Sequence, residues 1–201
     1  MLVDELRARV RLEYGEPAAR TLIMGILNVT PDSFSDGGQH AEPGLAVDHA
    51  HAMIRDGADI VDVGGESARP GAEPLSAEAE WARVGTVLKA ITIADTSISI
   101  DTYHAETARR ALELGARIVN DITALRGDPR MAEVVASGGC DCVLMHMLGT
   151  PQTMQQDPRY EDVVDDICAF FDERLCFAVR AGIDEKRLWL DPGFGFGKTR
   201  V

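Results

Sequence analysis

Residues 59–71 read Asp-Ile-Val-Asp-Val-Gly-Gly-Glu-Ser-Ala-Arg-Pro-Gly, and this stretch decides the fold class. Its first half is short and rich in β-branched residues, which predicts a strand. Its second half begins with two glycines and continues with polar residues, which predicts a loop. A buried strand that runs directly into a polar loop is typical of parallel α/β folds, where active sites lie at the carboxyl ends of the strands.

The same unit recurs along the chain, with short β-rich runs separated by amphipathic helical stretches. Strands are predicted at Thr21–Leu27, Ile60–Val63, Ser97–Ile100, Arg117–Val119, Cys142–Met145 and Arg187–Leu190. Helices are predicted at Leu45–Asp56, Ala77–Ile93, Ala105–Leu114, Pro129–Ala136 and Tyr160–Ala181. Strands that alternate with helices imply a parallel sheet.

Each predicted strand is followed at once by polar or glycine residues. They are Asn28, Gly64-Gly65-Glu66, Asp101, Asn120-Asp121, His146 and Asp191. A doubly wound sheet usually concentrates its site at one switch point, so contributions from all the strands favour a barrel. We therefore predict an α/β fold, a (β/α)8 TIM barrel of which about six β/α units are present.

Length and composition agree with one globular domain. The chain has 201 residues and a formal net charge of −13, which argues against nucleic-acid or anionic-membrane partners. We predict a lead-in over residues 1–20 and a barrel domain over 21–201 that is incomplete at its C-terminus, since such barrels take about 250 residues. No apolar run is long enough to span a membrane, no signal peptide is recognised, and the four cysteines look reduced, so we expect a cytoplasmic protein.

Two loops carry groups that suit an anionic ligand. The segment from Asn28 to Gly38 is rich in hydrogen-bonding side chains and predicts a loop that closes over a ligand, although a long β–α connection would look similar. In the quoted stretch, Ser67 and Arg69 suit a phosphate group, which arginine can bind in a bidentate manner.

Asp101 and Asn120 end neighbouring predicted strands. A carboxylate and a carboxamide together can bind the edge of a fused nitrogen heterocycle, because one accepts hydrogen bonds and the other both donates and accepts. Helix capping is the alternative, by Asp101 for the helix at Ala105 and by Asn120 or Asp121 as a helix N-cap.

Residues 191–199 read Asp-Pro-Gly-Phe-Gly-Phe-Gly-Lys-Thr and end in Gly-Lys-Thr, as a P-loop does. A phosphate-binding P-loop needs glycine where Pro192 stands, so the motif is excluded. What remains is a glycine-rich loop whose two phenylalanines, both expected to be exposed, could flank an aromatic substrate.

Taken together, several segments resemble the dihydropteroate synthase family of folate biosynthesis. The segments are 24–38, 59–71, 99–102, 119–122, 143–147 and 191–199, in the family's order. The resemblance implies a TIM barrel that joins 6-hydroxymethyl-7,8-dihydropterin diphosphate to 4-aminobenzoate. The products are 7,8-dihydropteroate and diphosphate.

The resemblance also implies roles for individual residues. Asp101, Asn120, Ile122, Met145 and Asp191 would bind the pterin, and Asn28 would hold Mg²⁺ on the diphosphate. Phe34, Ser67, Arg69, Pro70 and Phe196 would contact the aminobenzoate or the diphosphate, in the pocket where sulfonamides act in this family. Asp101, Arg69 and Asn28 would be the catalytic residues, no protein nucleophile is needed, and His146 is read as structural.

Two departures from the family's pattern are evident. Ala68 stands where the family carries a hydroxyl residue, and the family's last two strand–helix units, with a pterin-binding lysine, have no counterpart within these 201 residues. We therefore expect the chain alone to be poorly active, and a homodimer only when it is complete. The alternatives are a non-catalytic pterin-binding remnant and the pterin-binding domain of a methyltransferase, whose first loop differs.

Overall fold

The structure, a computed structural model, describes residues 21–30, 43–67, 74–91 and 96–199. Its centre is a sheet of six parallel strands that lie side by side in chain order. The strands are β1 (Met24–Asn28), β2 (Ile60–Gly64), β3 (Ser97–Asp101), β4 (Ile118–Asp121), β5 (Asp141–Met145) and β6 (Leu188–Asp191). This sequential order is the order of a (β/α) barrel, since a doubly wound sheet reverses direction at its switch point.

Helices fill the crossovers between successive strands, as the sequence predicts. They are α1 (Pro43–Arg55), α2 (Ala77–Ile91), α3 (Ala105–Glu113), α4 (Met131–Gly138) and α5 (Val163–Arg180), followed by a 3₁₀ turn at Glu185–Arg187. All the predicted strands and helices are therefore present, and the prediction of about six β/α units is confirmed.

Some predicted boundaries are wrong by a few residues, each for a local reason. Helix α5 begins at Val163 rather than Tyr160, because the Asp162 side chain accepts hydrogen bonds from the backbone N–H groups of Val164 and Asp165, at 2.8 and 3.1 Å. Such a cap contributes about 1 kcal/mol. Helix α4 continues through Gly138, and the next residue, Gly139, takes the left-handed conformation that ends it.

The main core lies between the sheet and the surrounding helices. Strand residues that alternate toward the helices are almost fully buried there, and they pack with helix residues in one cluster; examples are Leu27, Val61, Val63, Ile100, Val119 and Leu144. Burying such a side chain contributes about 1.5–3 kcal/mol. The opposite face of the sheet carries a smaller cluster of Ile60, Ile118 and Val143 with Met24 and Trp189 packed against it.

This second cluster lies beneath the carboxyl ends of the strands. Because side chains alternate along a strand, the residues two positions further on point to the same face, one layer closer to the carboxyl edge. From Ile60 that residue is Asp62, and from Ile118 it is Asn120. The inner face is therefore apolar at its base and polar at its carboxyl edge.

Within the described residues, β1 and β6 each pair on one side only. Strand β1 accordingly exposes Ile26, at 63%, and the preceding Leu22 and Ile23 are also exposed. None of the helices described is both long and apolar enough to cross a membrane. The predicted lead-in over residues 1–20 and most of the predicted closing loop, from residue 31 onward, lie outside the described residues.

Candidate active site

The parallel register brings the predicted polar residues to one edge of the sheet. Asn28 pairs with Gly64, Gly64 with Asp101, and Asp101 with Asn120, so these residues form one row across four strands. Asp191 lies further along the same edge, paired with Met145. A Cβ atom at Gly64 would lie 3.2 Å from Asp101 Oδ2, so glycine at this position leaves room for the Asp101 carboxyl group.

Asp101 faces this edge without a hydrogen bond from any residue that the structure describes. Burial raises its pKa well above the usual aspartate value, and the neighbouring charges of Asp62 and Glu80 raise it further. The capping alternative is excluded, because the N-cap of α3 is His104 and the Ala105 N–H donates to Asp128. A partly exposed carboxyl group with a strongly raised pKa is typical of a ligand-binding residue.

Asn120 is held by a partner that sequence reasoning missed. Its Nδ2 donates a 2.9 Å hydrogen bond to Oδ2 of Asp62, which lies on β2, two strands away. Asp62 is 4% exposed, and burial raises the pKa of its carboxyl group, while the nearby Ser99 hydroxyl and the bond from Asn120 lower it in part. The available signal was an aspartate inside an otherwise apolar strand run in the quoted stretch.

Asp191 shapes the turn that leaves β6. Its Oδ1 accepts a 2.7 Å hydrogen bond from the Gly193 N–H, and its backbone carbonyl accepts from the His146 N–H at 2.8 Å. The carboxyl group is half-buried. One of its oxygens is thus anchored by the loop.

By contrast, Asp121 points into the loop after β4. Its carboxylate accepts hydrogen bonds from the Thr123 N–H and hydroxyl, both at 2.7 Å, and from the Leu125 N–H at 2.9 Å. The helix N-cap that the sequence left open for Asp121 is wrong, since the next helix, α4, begins at Met131 after its N-cap Arg130, and Asp121 stabilises the turn after β4 instead.

An apolar slot adjoins the polar row. Four buried residues form a separate cluster against which Tyr103 and Phe196 pack; they are Ile122, Met145, Met147 and Met154. The structure thus brings together Ile122, Met145 and Phe196, which the resemblance implied as ligand contacts. Only one of the two loop phenylalanines is strongly exposed, Phe194 at 86%, because Phe196 packs into the slot.

The glycine-rich loop after β6 is fastened to the loop after β5. Lys198 Nζ donates to His146 Nδ1 at 3.0 Å, to the His146 carbonyl at 3.2 Å and to the Phe196 carbonyl at 2.9 Å. The Tyr160 hydroxyl and the Gln155 amide donate to the carbonyls of Gly197 and Gly195, at 2.6 and 2.7 Å. Lys198 is therefore a tie between loops rather than a P-loop lysine.

This arrangement makes His146 a structural residue. It is buried, it receives the Lys198 ammonium at Nδ1, and its ring lies edge-on to Phe170 with centroids 4.9 Å apart. Burial lowers the pKa of His146, and the charge of Lys198 lowers it further. The neutral ring accepts at Nδ1 and carries its proton at Nε2.

A second polar network, also missed from the sequence, supports the loops after β2 and β3. Glu66 accepts from the Tyr103 hydroxyl at 2.6 Å and from the Leu75 N–H at 2.8 Å. The buried Glu80 accepts from the Thr102 hydroxyl at 2.7 Å and lies 3.2 Å from His104 Nδ1. These contacts hold Tyr103 against the apolar slot.

The predicted anion-binding residues are only partly described. Ser67 is half-buried directly after the Gly64–Glu66 turn, while Phe34, Arg69, Pro70 and the departure at Ala68 lie outside the described residues. The Asn28 side chain is exposed at the end of β1.

The described residues of this edge do not form a metal site of protein groups alone. No cluster of three or more His, Cys, Asp or Glu side chains able to hold a metal exists among the described residues. A single carboxamide oxygen does fit Mg²⁺ that is carried mainly by substrate phosphates and water.

Comparisons with known proteins agree with this geometry. The sequence profile of the family described as "Pterin binding enzyme" matches residues 24–201. Dihydropteroate synthase of Escherichia coli K12 is 50% identical over 178 residues, which cover 88% of this chain and 63% of that protein. The chain thus spans less than two thirds of this relative's length.

Solved structures show the same fold. The Yersinia pestis dihydropteroate synthase in a sulfonamide complex superposes with a TM-score of 0.84 at 45% identity, covering 90% of this chain and 66% of that one. The Xanthomonas albilineans enzyme with 4-aminobenzoic acid gives 0.82 at 45% identity, with 90% and 64% covered. With a family profile that matches nearly the whole described sheet and its loops, the chain belongs to the family of pterin-binding enzymes.

Proposed function

We propose that the protein carrying these residues is a dihydropteroate synthase of folate biosynthesis. It would condense 6-hydroxymethyl-7,8-dihydropterin diphosphate with 4-aminobenzoate to 7,8-dihydropteroate and diphosphate. The observation that carries the proposal is the row of Asp101, Asn120 and Asp191 beside the Ile122–Met145 slot. A flat heterocycle with several N–H groups along one edge fits an apolar slot with acceptors on one side.

In the proposed reaction, the C–O bond between the pterin methylene and the diphosphate breaks, and a C–N bond to the aminobenzoate amine forms with loss of a proton. The Asp101 carboxylate would favour the positive charge that develops on the pterin. Ser67, Arg69 and Pro70, with Phe34 and Phe196, would hold the diphosphate and the aminobenzoate.

Asn28 would hold Mg²⁺ together with the diphosphate oxygens. When bound, Mg²⁺ would neutralise charge on the departing diphosphate.

Three side chains, those of Cys140, Cys142 and His146, are poorly suited to act as nucleophiles. Burial raises the pKa of the Cys140 thiol to about 11 and that of Cys142 well above its usual value, so neither supplies a thiolate at neutral pH. His146 is occupied by Lys198. We further propose a cytoplasmic enzyme with small-molecule substrates, no nucleic-acid or membrane partner, sulfonamide binding at the aminobenzoate pocket, and a homodimer for the complete polypeptide.

A turnover assay separates this proposal from a non-catalytic pterin-binding remnant. The 201-residue chain should form dihydropteroate only slowly, because the pterin-binding lysine that the resemblance implies has no counterpart within these residues. Fusing residues 21–199 to the last third of the Escherichia coli relative should restore turnover to within about tenfold of that enzyme, a barrier difference of about 1.4 kcal/mol.

The matched control is the same fusion with Asp101→Asn, which should lose most of the restored turnover. A fusion that binds pterin and 4-aminobenzoate but forms no product would support the non-catalytic remnant. A fusion that transfers a methyl group from a methylated pterin would support the methyltransferase alternative.

A further inference from the structure

Asp62 is the most deeply buried carboxylate on the inner face of the sheet, one layer below the polar row. Its register partners are Ile26 on β1 and Ser99 on β3, whereas Asp101 and Asn120 pair in the layer above. Its Oδ2 accepts from Asn120, and its Oδ1 has no hydrogen bond partner among the residues described. The proposed pterin contacts do not include it.

The hydrogen bond between Asn120 and Asp62 fixes the orientation of the Asn120 carboxamide. A carboxamide presents two donors at Nδ2 and acceptors at Oδ1, and rotating it by half a turn exchanges them. Asn120 Nδ2 donates to Asp62 Oδ2 at 2.9 Å, and this contact selects the rotamer in which Nδ2 points inward. In that rotamer the Asn120 oxygen is turned away from Asp62.

We infer that Asp62 is a positioning residue that fixes the Asn120 carboxamide so that its oxygen accepts a hydrogen bond from the pterin edge. This inference rests on the proposed function and goes beyond it, since Asp62 itself need not touch the ligand. Without Asp62 the carboxamide would be free to rotate, and half of its orientations would present donors to a donor group of the ligand.

A purely structural role explains the observation less well. A buried carboxylate with one unsatisfied oxygen destabilises a fold unless its contacts offset the desolvation cost, and an apolar residue of similar volume is often as stable. On the inner face Asp62 follows Ile60 of the apolar cluster, and its neighbours on the adjacent strands are Ile26 and Ser99. The desolvation cost of the Asp62 carboxyl group is explained if its hydrogen bond to Asn120 serves pterin binding.

The test uses the 201-residue chain and two ligands, 6-hydroxymethylpterin and 4-aminobenzoate, titrated by calorimetry. Asp62→Leu should weaken pterin binding about tenfold, the loss of one correctly oriented hydrogen bond, and leave 4-aminobenzoate binding unchanged. Asp62→Asn keeps an oxygen that can accept from Asn120 and should bind pterin within about threefold of the parent chain, a difference of about 0.7 kcal/mol.

A double-mutant cycle shows whether Asp62 acts through Asn120. In the Asn120→Ala background, Asp62→Leu should cause no further loss of pterin affinity, because there is no carboxamide left to orient. The matched control is Asp141→Leu, which removes a half-buried carboxylate at the opposite end of the sheet and should leave both affinities unchanged.

The Asn120 side-chain amide resonances give a readout that needs no ligand. In the parent chain the Nδ2 proton that donates to Asp62 should be shifted from its free position and slow to exchange with water, and Asp62→Leu should move it toward that free position and accelerate its exchange. If the parent chain does not bind pterin but Asp62→Leu still changes the Asn120 amide resonances, the proposed function is wrong, while the contact between Asp62 and Asn120 is confirmed. Additive losses in the cycle, or an Asp62→Leu chain with unchanged amide resonances, would overturn the inference.

Discussion

Asp101→Asn is expected to weaken pterin binding by roughly 10- to 100-fold and at the same time to raise the melting temperature of the chain. Hydrogen bonds to a charged group contribute about 1.5–3 kcal/mol, which corresponds to that loss of affinity. Asp101 accepts no hydrogen bond from the described residues, so its substitution removes no hydrogen bond among those residues.

The stabilising effect follows from the direction of the pKa shift. Burial, together with the charges of Asp62 and Glu80, raises the pKa of Asp101 in the folded chain. A carboxyl group with a raised folded pKa favours folding below its unfolded pKa, near 3.9, and loses that contribution as the pH rises through the folded pKa. At neutral pH the carboxyl group is ionised in the unfolded chain, so its raised pKa in the folded chain costs stability, and asparagine removes that cost.

Melting curves and pterin titrations of the Asp101→Asn chain check both effects. A gain of about 1 kcal/mol would appear as roughly 2–4 °C at pH 7, and the difference should shrink as the pH falls toward about 4. Asp141→Asn serves as the control, and it should change neither quantity. Pterin affinity that is unchanged by Asp101→Asn would refute the assigned role.

Gly193→Ala is expected to disrupt the site at the loop that follows β6. Gly193 has a φ of +66°, and a Cβ atom there would overlap the carbonyl oxygen of His146, a backbone atom that cannot rotate away. Left-handed backbone costs an L-residue about 1–2 kcal/mol, and overpacking costs about 1–3 kcal/mol more. We expect a loss of about 3–4 kcal/mol in the free energy of unfolding and no measurable pterin binding, since Asp191 is anchored to the Gly193 N–H.

Gly195→Ala is the matched control for this substitution. Gly195 also has a positive φ, +89°, but nothing lies within 4 Å of the Cβ position. It should therefore lose only the backbone contribution, about 1–2 kcal/mol, and keep pterin binding. Urea unfolding measures both variants, and equal losses for the two glycines would show that the loop after β6 does not approach His146 as closely as the structure shows.

The sequence predicts well those features that depend on local chemistry. The strand runs, the helix crossovers and the polar residue at each strand end follow from alternation, periodicity and chain punctuation within windows of a few residues. The row of Asn28, Asp101 and Asn120 could be predicted because parallel strands place their carboxyl ends at one edge. The same local chemistry correctly excluded a P-loop at Pro192.

Contacts between distant residues could not be predicted in this way. Asp62 and Asn120 are 58 positions apart on strands that are not neighbours, so their hydrogen bond depends on the curvature and register of the sheet. The position of Lys198 likewise depends on how two loops pack, 52 residues apart. Boundary errors such as the start of α5 arise because one capping side chain, Asp162, outweighs the apolar periodicity.

The central claim is that Asp101, Asn120 and Asp191, beside the slot of Ile122 and Met145, form a pterin site. Titration of the isotope-labelled 201-residue chain with 6-hydroxymethylpterin, followed by heteronuclear NMR, tests it most directly. The account predicts saturable shifts at these five residues and at Phe196, reduced by Asp101→Asn. Shifts confined to the groove between α3 and α4, around Arg109 and Ser137, or no saturable shift at all, would contradict it.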